Sequence, residues 1–260
     1  MKIEMNRLHL FILLFTASSL LFQFPPDAFA SSPSDITAAD SETDGENGFD
    51  VLDSPYGVDT FVIGSSTYAI VTSQIDDGVQ IIDISDPANI VATDSETDGV
   101  NGFDMLDAAN AVSTFVIGSS TYAIVTGYED DGVQIIDISD PADIVAKDSE
   151  TDGVNGFTEL LFPDDVDVFT IGSSTYAIVA SNLDDGVQII DISDVDNIVA
   201  TDAETDGVNG FDELYGAKAV STFVIGSSTY AIVTGYNDDG VQIIDISDPA
   251  DIVAKDSETD

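Results

Sequence analysis

A sequence period of 54 residues constrains this chain more than any other feature. Each repeat carries one tyrosine at a fixed position, namely Tyr68, Tyr122, Tyr176 and Tyr230. The repeats span 40–93, 94–147, 148–201 and 202–255. The second and fourth repeats differ at 6 positions, so 48 of their 54 residues match. A fixed period of about 50 residues is typical of propellers, solenoids and arrays, in which one structural unit is used again and again.

Each repeat contains four segments with the composition of β-strands. In the second repeat these segments are Val112–Ile117, Thr121–Tyr128, Gly132–Ile138 and Asp143–Lys147. They are rich in β-branched and aromatic residues, and the Asp-Gly pair before the third segment is a strong hairpin signal. The second and third segments are apolar on both faces, as expected when a sheet is covered on both sides. The sequence therefore predicts an all-β fold, a β-propeller with four-stranded antiparallel blades of 54 residues.

The number of blades has two interpretations. Four complete blades are predicted, and an additional strand of the fourth type, Asp35–Asp40, precedes them. The chain is then either a small four-bladed ring with one redundant strand or a fragment of a larger ring. We favour the fragment, in which the terminal blades would expose apolar faces because each repeat buries its face only against a neighbour.

The first thirty residues have the pattern of a secretory signal peptide. Lys2 and Arg7 are followed by the mainly apolar run Leu8–Phe22 and by the small-residue site Ala28-Phe29-Ala30. We expect residues 1–30 to be removed and residues 31–260 to form the repeat domain, secreted or held at the cell surface. No later apolar run approaches the roughly 20 residues that a membrane span needs, so none is expected after cleavage.

Charge and composition exclude several classes of site. The chain has 50 acidic and 5 basic residues, a formal net charge of −45 and no cysteine. Its one histidine, His9, lies in the predicted leader, and no arginine or tryptophan follows residue 30. Cysteine nucleophiles, histidine-based triads and histidine-ligated zinc are therefore excluded from the repeat domain. The acidity also opposes nucleic-acid binding, because lysine and arginine supply the affinity for phosphate.

The third strand of each repeat and the turn after it resemble a known repeat family. The segment Gly-Val-Gln-Ile-Ile-Asp-Ile-Ser-Asp-Pro occurs at 78–87, 132–141 and 240–249. The copy at 186–195 ends in Val195 instead of proline. This segment is similar to the LVIVD repeat of secreted and surface microbial proteins with propeller-type folds. The resemblance implies a propeller and an extracellular setting, and it brings no catalytic residues to this chain.

Differences between the repeats concentrate in two loops. One connects successive repeats, and the other joins the second strand of a repeat to the third. In an up-and-down blade both loops emerge on the same face, so we expect a variable ligand-binding face there. The alternative is drift of loops against which little packs. The residues expected on this face are Tyr56, Gln74, Asn110, Tyr128, Phe162, Asn182, Tyr215, Lys218 and Tyr236.

An acidic run at the start of each repeat resembles a calcium-binding loop. In the third repeat, three carboxylates alternate before a glycine and Glu159 stands twelfth, a pattern that wraps oxygen ligands around Ca²⁺. The first two repeats lack the twelfth glutamate, so the alternative is a solvated acidic turn. The candidate ligands are Asp94, Glu96, Asp98, Asp148, Glu150, Asp152, Glu159, Asp202, Glu204, Asp206 and Glu213. The sequence requires no cofactor, and Ca²⁺ is the one candidate.

These features favour a secreted, non-enzymatic scaffold that binds an extracellular protein or glycan through its variable face. We expect no enzyme, because the acid pairs recur four times in near-identical settings whereas an enzyme normally has one differentiated site. The first alternative is a carbohydrate-active hydrolase, which needs only two carboxyl groups but requires one pair set apart from the other copies. The second alternative is a structural component of a surface layer or matrix.

Overall fold

A computed structural model describes residues 38–259. Blade 1 contains β1 (Pro55–Ile63), β2 (Ser66–Ser73), β3 (Gly78–Asp83) and β4 (Val91–Thr97). Blade 2 contains β5 (Ala109–Ile117), β6 (Ser120–Gly127), β7 (Gly132–Asp137) and β8 (Val145–Thr151). Blade 3 contains β9 (Pro163–Ile171), β10 (Ser174–Ser181), β11 (Gly186–Asp191) and β12 (Val199–Thr205). Blade 4 contains β13 (Ala217–Ile225), β14 (Ser228–Gly235), β15 (Gly240–Asp245) and β16 (Val253–Thr259).

Each blade is a separate sheet whose four strands lie in chain order, and every neighbouring pair is antiparallel. The described part of the chain contains no helix. The predicted all-β fold with four-stranded antiparallel blades is therefore confirmed. Consecutive strands alternate in direction, which places the loops between blades and the loops between second and third strands on one face, as the sequence predicts.

The fourth strand of each blade begins and ends later than predicted. The sequence predicts Asp143–Lys147 in blade 2, whereas β8 spans Val145–Thr151 and takes in the start of the acidic run. Aspartate and glutamate are depleted in strands, yet Glu150 pairs directly with Val133 of the apolar third strand. The partner strand, rather than the composition of β8 itself, determines its conformation.

The predicted additional strand Asp35–Asp40 is absent from residues 38–40, the part of it that the structure describes. Residues 38–43 belong to no strand, and residues 35–37 lie outside the described range, as does the predicted leader 1–30. A strand requires a neighbour that accepts and donates its backbone hydrogen bonds. Asp94 lies in β4 because β3 pairs with it, whereas Asp40 has no preceding third strand among the described residues; both aspartates accept a side-chain hydrogen bond from an isoleucine amide, which for Asp40 comes from Ile90 at 2.9 Å.

Three apolar clusters join the blades in chain order. At the first junction Phe61, Ile70 and Ile81 of blade 1 pack with Ala123 and Ile136 of blade 2. Two equivalent clusters join blade 2 to blade 3 and blade 3 to blade 4. Within residues 38–259 no such cluster joins blade 4 back to blade 1. Among the described residues the four blades therefore share three junctions, and the outer faces of blade 1 and blade 4 have no neighbouring blade within this range.

The repeated Asp-Asp-Gly turns also tie the blades together. The second aspartate of each turn has a positive φ, a conformation that aspartate tolerates better than most residues. In the first three blades its Oδ1 accepts a hydrogen bond from a backbone amide of the next blade. These bonds run from Ala108 to Asp77 at 3.0 Å, from Phe162 to Asp131 at 3.0 Å and from Gly216 to Asp185 at 2.8 Å. Much of the repeated acidity therefore has a structural role.

Candidate functional site

One position of the repeat carries a different side chain in every blade. The second residue of each blade's first strand is Tyr56, Asn110, Asp164 or Lys218. On the variable face these strand ends meet around a pocket of about 310 Å³. Tyr56, Asp164 and Lys218 line it, together with Val58 and Asp165. The pocket is therefore built from all four blades at the place where they are least alike.

Asp164 is the centre of the polar contacts in this pocket. Asp164 is only 6% exposed. The Lys218 ammonium donates hydrogen bonds of 3.0 Å to both carboxylate oxygens of Asp164. The Asn110 side-chain amide donates to the Asp164 backbone carbonyl at 2.7 Å and to Oδ1 at 3.3 Å. Burial alone would lower the pKa of Lys218, but the hydrogen bond and charge of Asp164 outweigh it and raise that pKa.

Asp165 places a second carboxyl group beside the first. Burial raises its pKa, an effect that hydrogen bonds from the Val220 and Val166 amides oppose. The equivalent residues in the other blades are Gly57, Ala111 and Ala219, none of which is titratable. Asp164-Asp165 is therefore an acid pair that occurs in one blade, which is the feature that the hydrolase alternative requires.

Aromatic and amide side chains form the rim of the pocket. The rings of Tyr128 and Phe162 stack with centroids 4.7 Å apart. Burial and then the nearby charge of Asp164 raise the pKa of Tyr128. On the other side, Gln74 donates a hydrogen bond of 2.7 Å to the side-chain oxygen of Asn110. Tyr56, which lines the pocket, remains 56% exposed.

The structure gathers six of the nine residues predicted for the variable face. Tyr56 and Lys218 line the pocket, and four others form its rim or its hydrogen-bond network: Gln74, Asn110, Tyr128 and Phe162. Asn182, Tyr215 and Tyr236 do not line it, and the last two are largely exposed. Sequence reasoning missed Asp164 and Asp165. The missed signal was that the position shared with Tyr56 differs in all four repeats.

Most of the candidate calcium ligands already accept hydrogen bonds from backbone or side-chain amides of the protein. The first aspartate of the run accepts a hydrogen bond of 2.8 Å from a backbone amide of the next blade. The pairs are Asp94–Ile144, Asp148–Ile198 and Asp202–Ile252. The glutamates accept side-chain amides, in the pairs Glu96–Asn101, Glu150–Asn155 and Glu204–Asn209. The last aspartates accept a leucine amide, in the pairs Asp98–Leu106, Asp152–Leu160 and Asp206–Leu214. The run is thus a strand followed by turns rather than one loop around a point.

Glu159 and Glu213, the proposed twelfth ligands, lie beside the Asp-Asp-Gly turns of their own blades. A Glu159 carboxylate oxygen, Oε2, is buried without a hydrogen-bond partner in the described residues. Burial, followed by the charge of Asp184, raises the pKa of Glu159 to about 8. Burial also raises the pKa of Glu213. Residues 38–259 contain no group of three acidic side chains with the geometry of a metal site, and calcium binding stays a prediction.

Comparisons with known proteins identify the fold. No family model matches the chain, and no curated protein does. An exo-β-1,3-galactanase from Phanerochaete chrysosporium superposes with a TM-score of 0.53 at 14% identity, over 86% of this chain and 53% of that one. The Pseudomonas aeruginosa periplasmic gluconolactonase PpgL gives 0.57 at 11% identity, over 80% and 58%. A functionally unknown protein from Desulfotomaculum acetoxidans gives 0.55 at 12% identity, over 78% and 55%.

The chain thus spans a little over half the length of these solved structures. At such low identity the likeness shows the propeller-type fold alone. Two of the neighbours, the galactanase and the gluconolactonase, are enzymes, and this finding contradicts the prediction of a non-enzymatic scaffold and the prediction that the chain is no enzyme. Neither prediction is kept, and the hydrolase alternative becomes the subject of the proposal below. In the described part of the chain, no helix has the length and apolar character that a membrane crossing requires.

Proposed function

We propose that this protein is a carbohydrate-active hydrolase that cleaves a glycosidic bond in the pocket around Asp164 and Asp165. The observation that carries the proposal is the restriction of this adjacent acid pair to one blade, whereas the aspartates that recur in every repeat accept backbone amide hydrogen bonds within the fold. Glycoside hydrolysis requires two carboxyl groups with different roles and no metal. A pocket lined by two acids and one lysine, in a repeat domain whose sequence contains no histidine and no cysteine, supports that chemistry.

The surroundings of the two acids suggest their roles. Asp165 is the proton donor to the leaving oxygen, because burial raises its pKa and favours the acid form. Asp164 is the carboxylate that activates water or attacks the sugar, because Lys218 holds it in an ion pair at 3.0 Å. Lys218 also limits the repulsion between the two acids. The two proposed roles are consistent with each other, because glycoside hydrolysis needs one protonated and one ionised carboxyl group.

The pocket also indicates the class of substrate. Its volume of about 310 Å³ is at the lower end of small-molecule sites, which are about 300–1,000 Å³, and suits one sugar unit. The net charge of −45 repels anionic ligands, so we infer a neutral sugar. The exposed Tyr56 ring offers a flat surface for the sugar ring. An extracellular glycan is the proposed partner, in agreement with the leader pattern at 1–30 and the LVIVD-like segments.

Turnover of neutral aryl glycosides and oligosaccharides tests this proposal. We expect Asp164→Asn and Asp165→Asn each to lower the turnover rate by about 10²–10⁴-fold, the usual contribution of a general acid or base. Glu129→Gln is the control, because it removes one charge from an exposed position on the same face. Absence of glycoside turnover in the parent protein, or full activity in both aspartate variants, would refute the proposal. Turnover of sugar lactones alone would also refute the glycosidic assignment.

A further inference from the structure

One face of blade 4 is apolar and has no neighbour among residues 38–259. Its four residues are Phe223, Ile232, Val241 and Ile243, here named the trailing face. The equivalent residues of blade 3 all pack within the cluster that joins blades 3 and 4. Ile70, Ile124 and Ile178 are each 0% exposed, whereas Ile232, at the same repeat position, is 36% exposed. The trailing face therefore has the side chains of a junction, with no partner blade among the described residues.

The opposite face of blade 1 is the other half of such a junction. Its residues are Val58, Ala69, Val71 and Ile82, here named the leading face. Their equivalents in blade 2 pack against blade 1. Val58 is 64% exposed, whereas Val166 and Val220 at the same repeat position are 5% and 8% exposed. The leading face is thus incompletely covered, although Phe49 and Val51 bury part of this side of the blade.

The hydrogen bonds between blades also lack a partner at the same two faces within residues 38–259. Asp239 is the second aspartate of the last Asp-Asp-Gly turn and has φ 55°, close to the values of Asp77, Asp131 and Asp185. Those three accept an amide of the next blade, and Asp239 has no such blade within the described range. The matching donor is the amide of Ser54, whose φ of 61° resembles those of Ala108 and Phe162. Donor and acceptor therefore already have the conformation that the bond requires.

We propose that the trailing face of one copy docks on the leading face of a second copy, head to tail. The partner is a second copy because these two faces already pack on each other at the three junctions inside the chain. The contact is heterologous, so it closes into a ring or continues as a chain of copies. The net charge of −45 opposes association in dilute buffer, and salt shortens the range of that repulsion. Association is therefore stronger at high salt.

Analytical ultracentrifugation of the protein purified from cells that express the full chain tests this contact. We expect concentration-dependent association that strengthens between about 0.15 M and about 1 M NaCl. Ile232→Asp should weaken it by about 30-fold or more, as loss of a central apolar contact does. Val224→Asp is the matched control: Val224 is 67% exposed, and Val62 and Val116 at the same repeat position are as exposed, so this position faces no junction.

A mixing experiment tests the head-to-tail arrangement. Val58→Asp damages the leading face and Ile232→Asp the trailing face, so each variant alone should remain a monomer. Mixed together they should form a heterodimer, because each supplies the face that the other lacks. A parent protein that stays monomeric at every concentration and salt level would overturn the proposal. So would equal association of the Ile232 and Val224 variants, or undiminished self-association of the Val58 variant. Circular dichroism confirms that each variant is folded.

Discussion

At the scale of single residues, an aspartate that recurs in every repeat and an aspartate that occurs in one repeat have different roles. Asp77 and its equivalents recur because each accepts an amide of the next blade. Asp164 has no acidic equivalent, since the other blades have Tyr56, Asn110 and Lys218 at that position. Composition could not reveal the difference, because an aspartate among 50 acidic residues carries no signal by itself. Comparison of the four repeats position by position does reveal it.

Glu159 makes the stability of the fold depend on pH. Burial raises its pKa to about 8, so the folded protein binds a proton that the unfolded chain has already lost. This group therefore contributes stability that is fully present below the ordinary glutamate pKa and is lost as the pH rises through about 8. Asp130, whose pKa burial raises to about 6, adds to the same trend at lower pH.

We predict that the thermal midpoint falls between about pH 5 and about pH 9 and that Glu159→Gln flattens the upper part of this fall. At about pH 8.5 the variant should unfold roughly 2–4 °C above the parent protein, the shift expected for about 1 kcal/mol in a domain of this size. Calorimetry across the pH series measures both effects. Glu129→Gln removes the same charge at an exposed site and should leave the slope unchanged. Parallel pH curves for parent and Glu159 variant would contradict the prediction.

At the scale of strands and turns, the sequence predicts those elements whose own residues determine them. The second and third strands of a blade are apolar on both faces and were located to within a residue or two, as β6 (Ser120–Gly127) and β7 (Gly132–Asp137) show. The fourth strand was misplaced because its acidic residues follow the pairing of its neighbour. The acidic run predicted as a calcium loop begins in this same strand, where alternate acids such as Asp148 and Glu150 share one face.

The Asp-Asp-Gly turns provide a matched test of the bonds between blades. Asp131 accepts the Phe162 amide of the next blade at 3.0 Å, whereas Asp239 has the same φ region but no following blade among residues 38–259. We predict that Asp131→Ala lowers the free energy of unfolding by about 1–3 kcal/mol, because it leaves that amide without a partner. Asp239→Ala should cost less than about 0.5 kcal/mol. Urea unfolding of dilute protein compares them, and equal losses would show that the bond between blades contributes nothing.

At the scale of the whole molecule, apolar blade faces and a large negative charge act in opposite directions. Burial between blades supplies the favourable free energy, and each junction repeats nearly the same contacts. The 50 acidic residues, against 5 basic ones, repel each other most strongly when the chain is compact. The pocket adds its own pair of neighbouring acids, which Lys218 balances only in part. Ionic strength therefore acts on the fold as a whole rather than on one ion pair.

We predict that the protein is more stable in about 0.5–1 M NaCl than in dilute buffer, because the Debye screening length falls from about 8 Å at physiological ionic strength to about 3 Å at 1 M, so charges repel over a shorter distance. Repulsion is greater in the compact state than in the extended one, so screening favours folding. The thermal midpoint should rise by at least about 4 °C, which corresponds to roughly 1 kcal/mol or more. Sodium sulfate at equal ionic strength separates screening from preferential exclusion, which also stabilises proteins. Equal midpoints in the two salts support screening, whereas a flat or falling NaCl series means that charge repulsion does not limit the stability of this fold.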